Sequence, residues 1–237
     1  MSNYDSNAAI PDASADRTSA VDAGLRAHML RVYNYMATGV GLTGLVAMLT
    51  YQFTGPELLQ SPLMWVFMLA PFALVFFISA RISKLSAEAA RLLFFVYAAL
   101  MGLSLSTIFH VYTGASITRV FFISAATFGA LSIWGYTTQR DLSGFGTFLF
   151  MGLIGIVIAS LVNIFLKSSG LDWMISLVGV SVFAGLTAYD TQRIKAMYDR
   201  SDDAASAGRK AVMGALSLYL NFINLFMFML RLAGNRR

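Results

Sequence analysis

Seven apolar stretches that contain no Asp, Glu, Lys or Arg constrain most strongly what this chain can fold into. They are Val32–Phe53, Pro62–Ala80, Leu92–Phe109, Val120–Tyr136, Phe145–Leu166, Trp173–Tyr189 and Val212–Leu230. Each has 17 to 22 residues, and a helix needs roughly 20 to cross the hydrocarbon core of a bilayer. Polar and apolar residues do not alternate within them as they would in barrel strands. We therefore predict an all-α polytopic membrane protein with seven transmembrane helices.

The composition agrees with a chain whose solvent is lipid. Only 12% of the residues are charged and 57% are hydrophobic, whereas an average soluble domain carries about 25% charged residues. The absence of cysteine excludes disulfides, thiolate metal sites and cysteine nucleophiles. The net charge of +5 comes from basic residues in the loops, so we expect the lipid bilayer as partner and no nucleic acid.

The distribution of Lys and Arg predicts an orientation. With the N-terminus inside, the inner tail and loops hold 12 Lys and Arg and the outer loops hold 2. Such an asymmetry favours a cytoplasmic N-terminus. Arg231, Arg236 and Arg237 are the exception, because seven crossings would place them outside. A re-entrant seventh segment would keep them inside, but we favour seven complete crossings.

The first 24 residues differ from the rest of the chain. They carry four Asp and one Arg and have no apolar core, so they do not have the pattern of a signal peptide. We predict a disordered polar tail over residues 1–24 and a seven-helix membrane domain over residues 25–237.

A stripe of small and polar residues runs along the seventh segment. Gly214, Ser217, Asn221 and Asn224 follow at spacings of three, four and three, which places them on one helical face. Amides that face lipid lack partners, so the stripe is expected to turn inward, with the helix enclosed by protein. The same pattern also fits side chains that only hydrogen-bond a neighbouring helix.

An aspartate stands where the sixth segment ends. Asp190 follows the apolar run and precedes Arg193 by one helical turn. One interpretation is an ion pair at the membrane interface without further role. The other is a carboxylate that faces the bundle, where protonation or cation binding would move helices.

The sequence offers little for an enzyme. Its two histidines, His28 and His110, lie near the ends of the predicted helices and not beside a serine inside the bundle. There is no His-Glu-x-x-His motif, no glycine-rich phosphate loop, and no lysine in the middle of the seventh segment for a retinal Schiff base. We expect no enzymatic activity and no cofactor.

Four stretches of the chain carry a family resemblance. Two of them, AYDTQRIK (Ala188–Lys195) and ALSLYLNFINLF (Ala215–Phe226), are long and specific motifs. They resemble those of the Bax inhibitor family, also called the transmembrane Bax inhibitor motif family. The runs Leu30–Gly44 and Arg140–Phe165 are similar to the bacterial branch of that family. The likeness extends from about residue 25 to the C-terminus.

The resemblance implies a fold in which the last of seven helices is central, and a calcium leak sensitive to pH. In that picture two acids share protons, and their charge state opens or closes a latch with a basic residue after the second helix. The first acid corresponds to Asp190, but the second position is Asn221 in this chain. An amide cannot ionise, though it can donate a hydrogen bond or offer a carbonyl oxygen to a cation. We expect weakened calcium binding, and place the latch at Arg81, with Lys84 as the alternative.

Two functions from different classes remain open at this stage. The first is a cation leak channel gated near Asp190 and Asn221, with Ser217 and Asn224 as supporting polar residues and calcium as the permeant or bound ion. The second is a regulatory protein that binds a membrane-anchored quality-control protease, which the resemblance to bacterial members also implies. Cytoprotection under stress would be a phenotype of either mechanism.

Overall fold

The computed structural model describes residues 13–55 and 61–237, without the side chains of 13–22, 63 and 64. Its helices are α1 (Ala13–Phe53), α2 (Pro62–Arg81), α3 (Ala87–Leu105), α4 (Ile108–Val111), α5 (Gly114–Thr137), α6 (Ser143–Leu166), α7 (Ser169–Ala196) and α8 (Ala204–Ala233). Seven of the described helical spans are long and apolar enough to cross a membrane, with α3 and α4 together forming one span. The prediction of an all-α polytopic membrane protein is confirmed.

The helix α1 begins earlier than the sequence suggested. It starts at Ala13 and runs for 41 residues, so residues 13–24 of the predicted disordered tail are helical. Four alanines and no proline occur among residues 13–24, and extending an existing helix costs far less than nucleating one. Residues 1–12 lie outside the described residues, where the tail remains a prediction.

The third apolar segment is interrupted near its end. The helix α3 ends at Leu105, and the short helix α4 begins at Ile108. Between them the Ser106 hydroxyl donates to the Leu103 carbonyl oxygen at 2.7 Å. Such a local side-chain bond competes with the helical backbone pattern, which accounts for the break.

The last helix lies at the centre of the bundle. The helices α1, α3, α5 and α7 pack around α8, while α2 packs mainly against α3 and α6 against α7. Asp203 caps the start of α8, where its carboxylate accepts a hydrogen bond from the Ser206 amide at 2.8 Å. Most of its residues are buried, whereas α2 and α6 are largely exposed. The enclosed last helix agrees with what the polar stripe predicted.

The two ends of α8 lie at opposite ends of α3. Near the start of α8, Arg209 donates to the Leu85 carbonyl oxygen at 3.4 Å, just before α3 begins. At the other end, the Thr113 amide donates to the Asn235 carbonyl oxygen at 3.2 Å, beyond the end of α3. The helix has 30 residues and is about 45 Å long at 1.5 Å per residue. It therefore crosses the whole bundle and is not re-entrant.

We call the end with the α2–α3, α5–α6 and α7–α8 connections the site end. The opposite end is the clasp end, where residues 235–237 pair with residues 111–113; we call residues 235–237 the C-terminal clasp. Arg237 donates from its amide to the Val111 carbonyl oxygen at 2.9 Å, and Asn235 donates from its amide to the Ser116 hydroxyl at 2.8 Å. Three of the chain's arginines (Arg231, Arg236 and Arg237) thus lie at or beyond the clasp end of α8.

Candidate functional site

Asp190 lies in α7, two turns before its end, where two glycines let neighbouring helices approach closely. A Cβ atom at Gly135 of α5 would overlap the carbonyl oxygen of Ala188, and one at Gly146 of α6 would overlap the ring of Tyr189. Both glycines therefore bring backbone against the turn that carries Asp190. As a result Asp190 is buried, with 7% of its surface exposed.

Each oxygen of the Asp190 carboxylate has its own partner. Asn221 of α8 donates from Nδ2 to Oδ2 at 2.8 Å, and the Arg193 guanidinium lies 3.0 Å from Oδ1. Arg193 also donates to the Ser217 hydroxyl at 3.3 Å. Asp190 thus combines both sequence-based interpretations: it forms the ion pair with Arg193 and it faces the central helix.

The predicted latch is not formed in this structure. Arg81 is the last residue of α2 and is exposed, and Lys84 ends the short 3-10 helix that follows. Neither makes an ion pair with Asp190 among the residues described. Arg193 forms the ion pair with Asp190 instead. It lies one turn away on the same helix, so the contact needs no movement of α2.

The remaining members of the polar stripe have different environments. Asn224 donates to the Leu220 carbonyl oxygen of its own helix at 2.8 Å, so its amide does not join two helices. Gly214 faces Ile194 of α7, whose side chain a Cβ atom would contact at 3.0 Å. The stripe therefore faces α7 as a whole, but only Asn221 and Ser217 contact polar side chains there.

These residues form part of the wall of a cleft of about 620 Å³ between α2, α6, α7 and α8. It is lined by Phe72, Gly146, Thr147, Phe150, Leu153, Val157, Phe183, Leu186, Tyr189, Asp190, Arg193, Ser217, Leu220, Asn221 and Asn224. The ionisable groups among them are Asp190, Arg193 and Tyr189, all on α7. The helices α2, α6 and α8 contribute only uncharged side chains, so the charge state of the cleft depends on α7.

The cleft offers few ligands for a cation. The described residues contain no group of three or more His, Cys, Asp or Glu side chains that could hold a metal ion. Asp190 supplies the one carboxylate among the lining residues, and the other side-chain oxygens there belong to amides and hydroxyls, whereas Ca²⁺ takes six to eight oxygen ligands that usually include several carboxylates. Arg193 also neutralises the one carboxylate, so this arrangement fits weak and transient contact with a cation.

A second polar contact, in the middle of the bundle, was not predicted. The Tyr219 hydroxyl lies 2.6 Å from the Thr43 hydroxyl, which donates to the Ala98 carbonyl oxygen at 2.8 Å. Tyr219 is completely buried, and its ring meets that of Tyr97 edge-on at 5.6 Å between centroids. One signal was present in the sequence, since a hydroxyl in a buried tyrosine requires a partner.

Comparison with known proteins agrees with the residues quoted above. The family described as "Inhibitor of apoptosis-promoting Bax1" matches residues 25–237. The chain is 50% identical to "Inner membrane protein YbhL" of Escherichia coli over 220 residues, or 91% of this chain and 94% of that protein. It is 46% identical to RP147 of Rickettsia prowazekii over 218 residues, or 91% and 92% of the two chains. A protein of Caulobacter vibrioides is 43% identical over 236 residues, 94% of each chain. The chain belongs to the Bax inhibitor family and is an integral membrane protein with seven apolar helices.

Proposed function

We propose that this protein is a pH-sensitive cation leak in which Asp190 is the group whose protonation controls flow. The observation that carries the proposal is the 2.8 Å hydrogen bond from Asn221 to Asp190, which joins the central helix to α7 inside the cleft. Family membership supports it as well, because the resemblance implies a pH-sensitive calcium leak. Calcium is the expected permeant ion.

The proposed switch works through the two partners of the carboxylate. When Asp190 is charged, it holds both Arg193 and Asn221. Protonation removes the negative charge, so Arg193, whose side chain is 47% exposed, is free to turn toward water. The contact between α7 and α8 then weakens, and acidification is the direction that favours movement.

Asn221 changes the expected form of the pH response. In the family picture two acids titrate as a coupled pair, but here a single carboxylate titrates beside an amide. We expect one transition rather than two, and weak affinity for calcium because one negative charge is missing from the site.

We also propose a location in a bacterial inner membrane, with the N-terminus in the cytoplasm. The name of the Escherichia coli relative supports the membrane, and the excess of Lys and Arg in the predicted inner segments supports the orientation. In this orientation the site end faces the cytoplasm.

The test is calcium flux into proteoliposomes between about pH 6 and about pH 8, for wild type, Asp190→Asn and Asn221→Asp. We expect Asp190→Asn to abolish the pH dependence. Asn221→Asp supplies a second carboxylate to the cation, and one such charge-assisted contact contributes about 1.5–3 kcal/mol. Calcium flux should therefore rise by roughly ten- to hundredfold.

Two variants on the same helices serve as matched controls. Asp172→Asn makes the same change in the first turn of α7, and Asn224→Asp adds a carboxylate one turn from Asn221. The calcium flux and pH dependence of Asp172→Asn should be closer to wild type than those of Asp190→Asn. The same should hold for Asn224→Asp compared with Asn221→Asp. Wild-type flux that is equally pH-dependent in Asp190→Asn would contradict the proposal. Absence of flux in every variant would do so too, and would direct attention to regulation of a membrane protease.

A further inference from the structure

A second cavity lies on another side of the bundle, between α1 and α5 at the site end. Its volume is about 600 Å³, within the range of about 300–1,000 Å³ that is typical of small-molecule sites. The lining residues are Arg26, Met29, Leu30, Tyr33, Phe128, Gly129, Ser132, Ile133 and Tyr136. We call this cavity the α1–α5 groove. It shares no residue with the Asp190 cleft.

The length of the groove suits one leaflet of a bilayer. From Phe128 to Tyr136 the α5 wall covers eight residue steps, or about 12 Å at 1.5 Å per residue. Half of a hydrocarbon core is about 15 Å thick. The wall is apolar over most of this length, and Leu30 and Ile133 are 52% and 67% exposed. The groove is thus accessible from the lipid side of the helices.

One polar group in the groove lacks a partner. Ser132 is only 4% exposed, and its hydroxyl has no hydrogen-bond partner within residues 23–55 and 61–237. Buried hydroxyls normally have a partner. On the wall of an otherwise apolar groove, an unpartnered hydroxyl indicates a ligand that brings an acceptor to this depth.

One cation lines the groove at its end nearest the site end, and a second lies beside it. Arg26 lines the groove, is exposed and makes no ion pair with residues whose side chains the structure describes. Lys195 donates to the Tyr136 carbonyl oxygen at 2.9 Å, and its ammonium lies 4.9 Å from the centre of the Tyr136 ring. A lysine ammonium has three donors, so others remain for a ligand. Basic pockets between membrane helices attract anionic headgroups.

We propose that the α1–α5 groove binds one anionic phospholipid. The phosphate lies between Arg26 and Lys195, the Ser132 hydroxyl donates to an ester carbonyl about one helical turn deeper, and an acyl chain follows Phe128 and Gly129. The order of charged, polar and apolar surface in the groove is the order of these groups in a phospholipid. This assignment is independent of ion flow through the Asp190 cleft.

One glycine in the groove can be replaced by a larger residue that fills the groove without disturbing the packing of the helices. A Cβ atom at Gly129 would meet no atom within 4 Å, so Gly129→Leu places its side chain in open space of the groove. Gly41 on the exposed surface of α1 also has nothing within 4 Å, and Gly41→Leu is the matched control. Arg26→Gln removes the cation and keeps a long polar side chain.

The experiment is native mass spectrometry of the purified full chain with phosphatidylglycerol or phosphatidylethanolamine of identical acyl chains. Wild type and Gly41→Leu should retain one phosphatidylglycerol at least about tenfold more strongly than phosphatidylethanolamine. Gly129→Leu should lose the bound lipid, Arg26→Gln should lose the preference for the anionic headgroup, and Ser132→Ala should weaken retention of both lipids.

Three results would overturn the proposal. Equal retention of the two lipids by wild type would mean ordinary contact with the surrounding bilayer. Undiminished retention in both Gly129→Leu and Ser132→Ala would place the lipid elsewhere. Retention that appears only after residues 1–12 are removed would mean that the chain's own N-terminus fills the groove.

Discussion

Two faces of α8 have opposite surroundings. One face, with Ser217 and Asn221, lines the cleft of about 620 Å³ that also holds the charges of Asp190 and Arg193. The other face, with Phe222, lines a cavity of about 80 Å³ in which Thr43 is the one polar side chain. The same helix therefore contacts polar groups on one face and apolar groups on the other.

The apolar face also carries a buried tyrosine. The Tyr219 hydroxyl lies 2.6 Å from that of Thr43, which lines the apolar cavity. Beyond that cavity, the C-terminal clasp covers the clasp end, and Arg237 also donates to the Tyr51 hydroxyl at 3.2 Å. In this conformation a cation would have a polar environment at the site end alone, so a leak requires the clasp end to open.

Among the changes that test this comparison, Asn221→Leu should have the largest effect on stability. The change leaves one oxygen of the buried Asp190 carboxylate without its donor, which costs about 1–3 kcal/mol. Asn224→Leu is the control, because that amide bonds only its own helix. Thermal unfolding in detergent should show a lower transition temperature for Asn221→Leu, by about 2–4 °C per kcal/mol. Equal shifts for the two variants would argue against a special role for the Asp190 contact.

Removing residues 235–237 tests whether the C-terminal clasp is part of the barrier to ion flow at the clasp end. The truncation deletes the pairing of the clasp with Val111 and Thr113, and each such bond contributes about 0.5–1.5 kcal/mol. We expect a modest loss of stability and a higher basal calcium flux near neutral pH, with the response to Asp190→Asn retained. Flux identical to that of the full chain would show that the clasp is not part of the barrier.

Tyr219→Phe should have a smaller effect on stability. The Thr43 hydroxyl keeps its bond to the Ala98 carbonyl oxygen, so the loss of one contact should cost about 0.5–1.5 kcal/mol. Tyr97→Phe is the comparison, since Tyr97 touches Tyr219 through its ring. A rise in calcium flux for Tyr219→Phe alone would locate the barrier at the hydroxyl pair.

The smallest effect concerns pH and the start of α8. Hydrogen bonds from the Ser206 hydroxyl and from its amide lower the pKa of the Asp203 carboxyl below its usual value. A lowered pKa in the folded state means that the stabilisation is present above the unfolded-state pKa and is lost as the pH falls through the folded-state pKa. Asp203→Asn keeps a capping side chain and should lessen the loss of stability as the pH falls below about pH 4. A pH profile identical to wild type would count against this cap.

The sequence predicted the parts of the fold that depend on hydropathy and helical spacing. The seven apolar runs lacked charges, and the spacing of Ser217 and Asn221 indicated which face of α8 turns inward. Their exact partners depend on how closely α5 and α6 approach α7 at Gly135 and Gly146. The distance between these helices is set by side-chain packing and produces no periodic pattern in the sequence.

The C-terminal clasp could not be predicted, because it consists of backbone hydrogen bonds made by three residues, which produce no hydropathy pattern. The spacing did predict the ion pair between Asp190 and Arg193, which the structure contains. The family analogy placed a latch at Arg81, and that contact is not formed in this structure. Local geometry prevailed over the longer contact because it needs no ordering of a second segment.

The most direct test of the difference between the two faces of α8 uses the absence of native cysteine. Ser217→Cys would place one thiol in the cleft, and Ala47→Cys one in the apolar cavity at the clasp end. We predict that a membrane-impermeant methanethiosulfonate labels Ser217→Cys from the side of the site end, while Ala47→Cys stays unlabelled from either side. Labelling of Ala47→Cys from the clasp end as fast as that of Ser217→Cys, or no labelling of Ser217→Cys, would contradict the account.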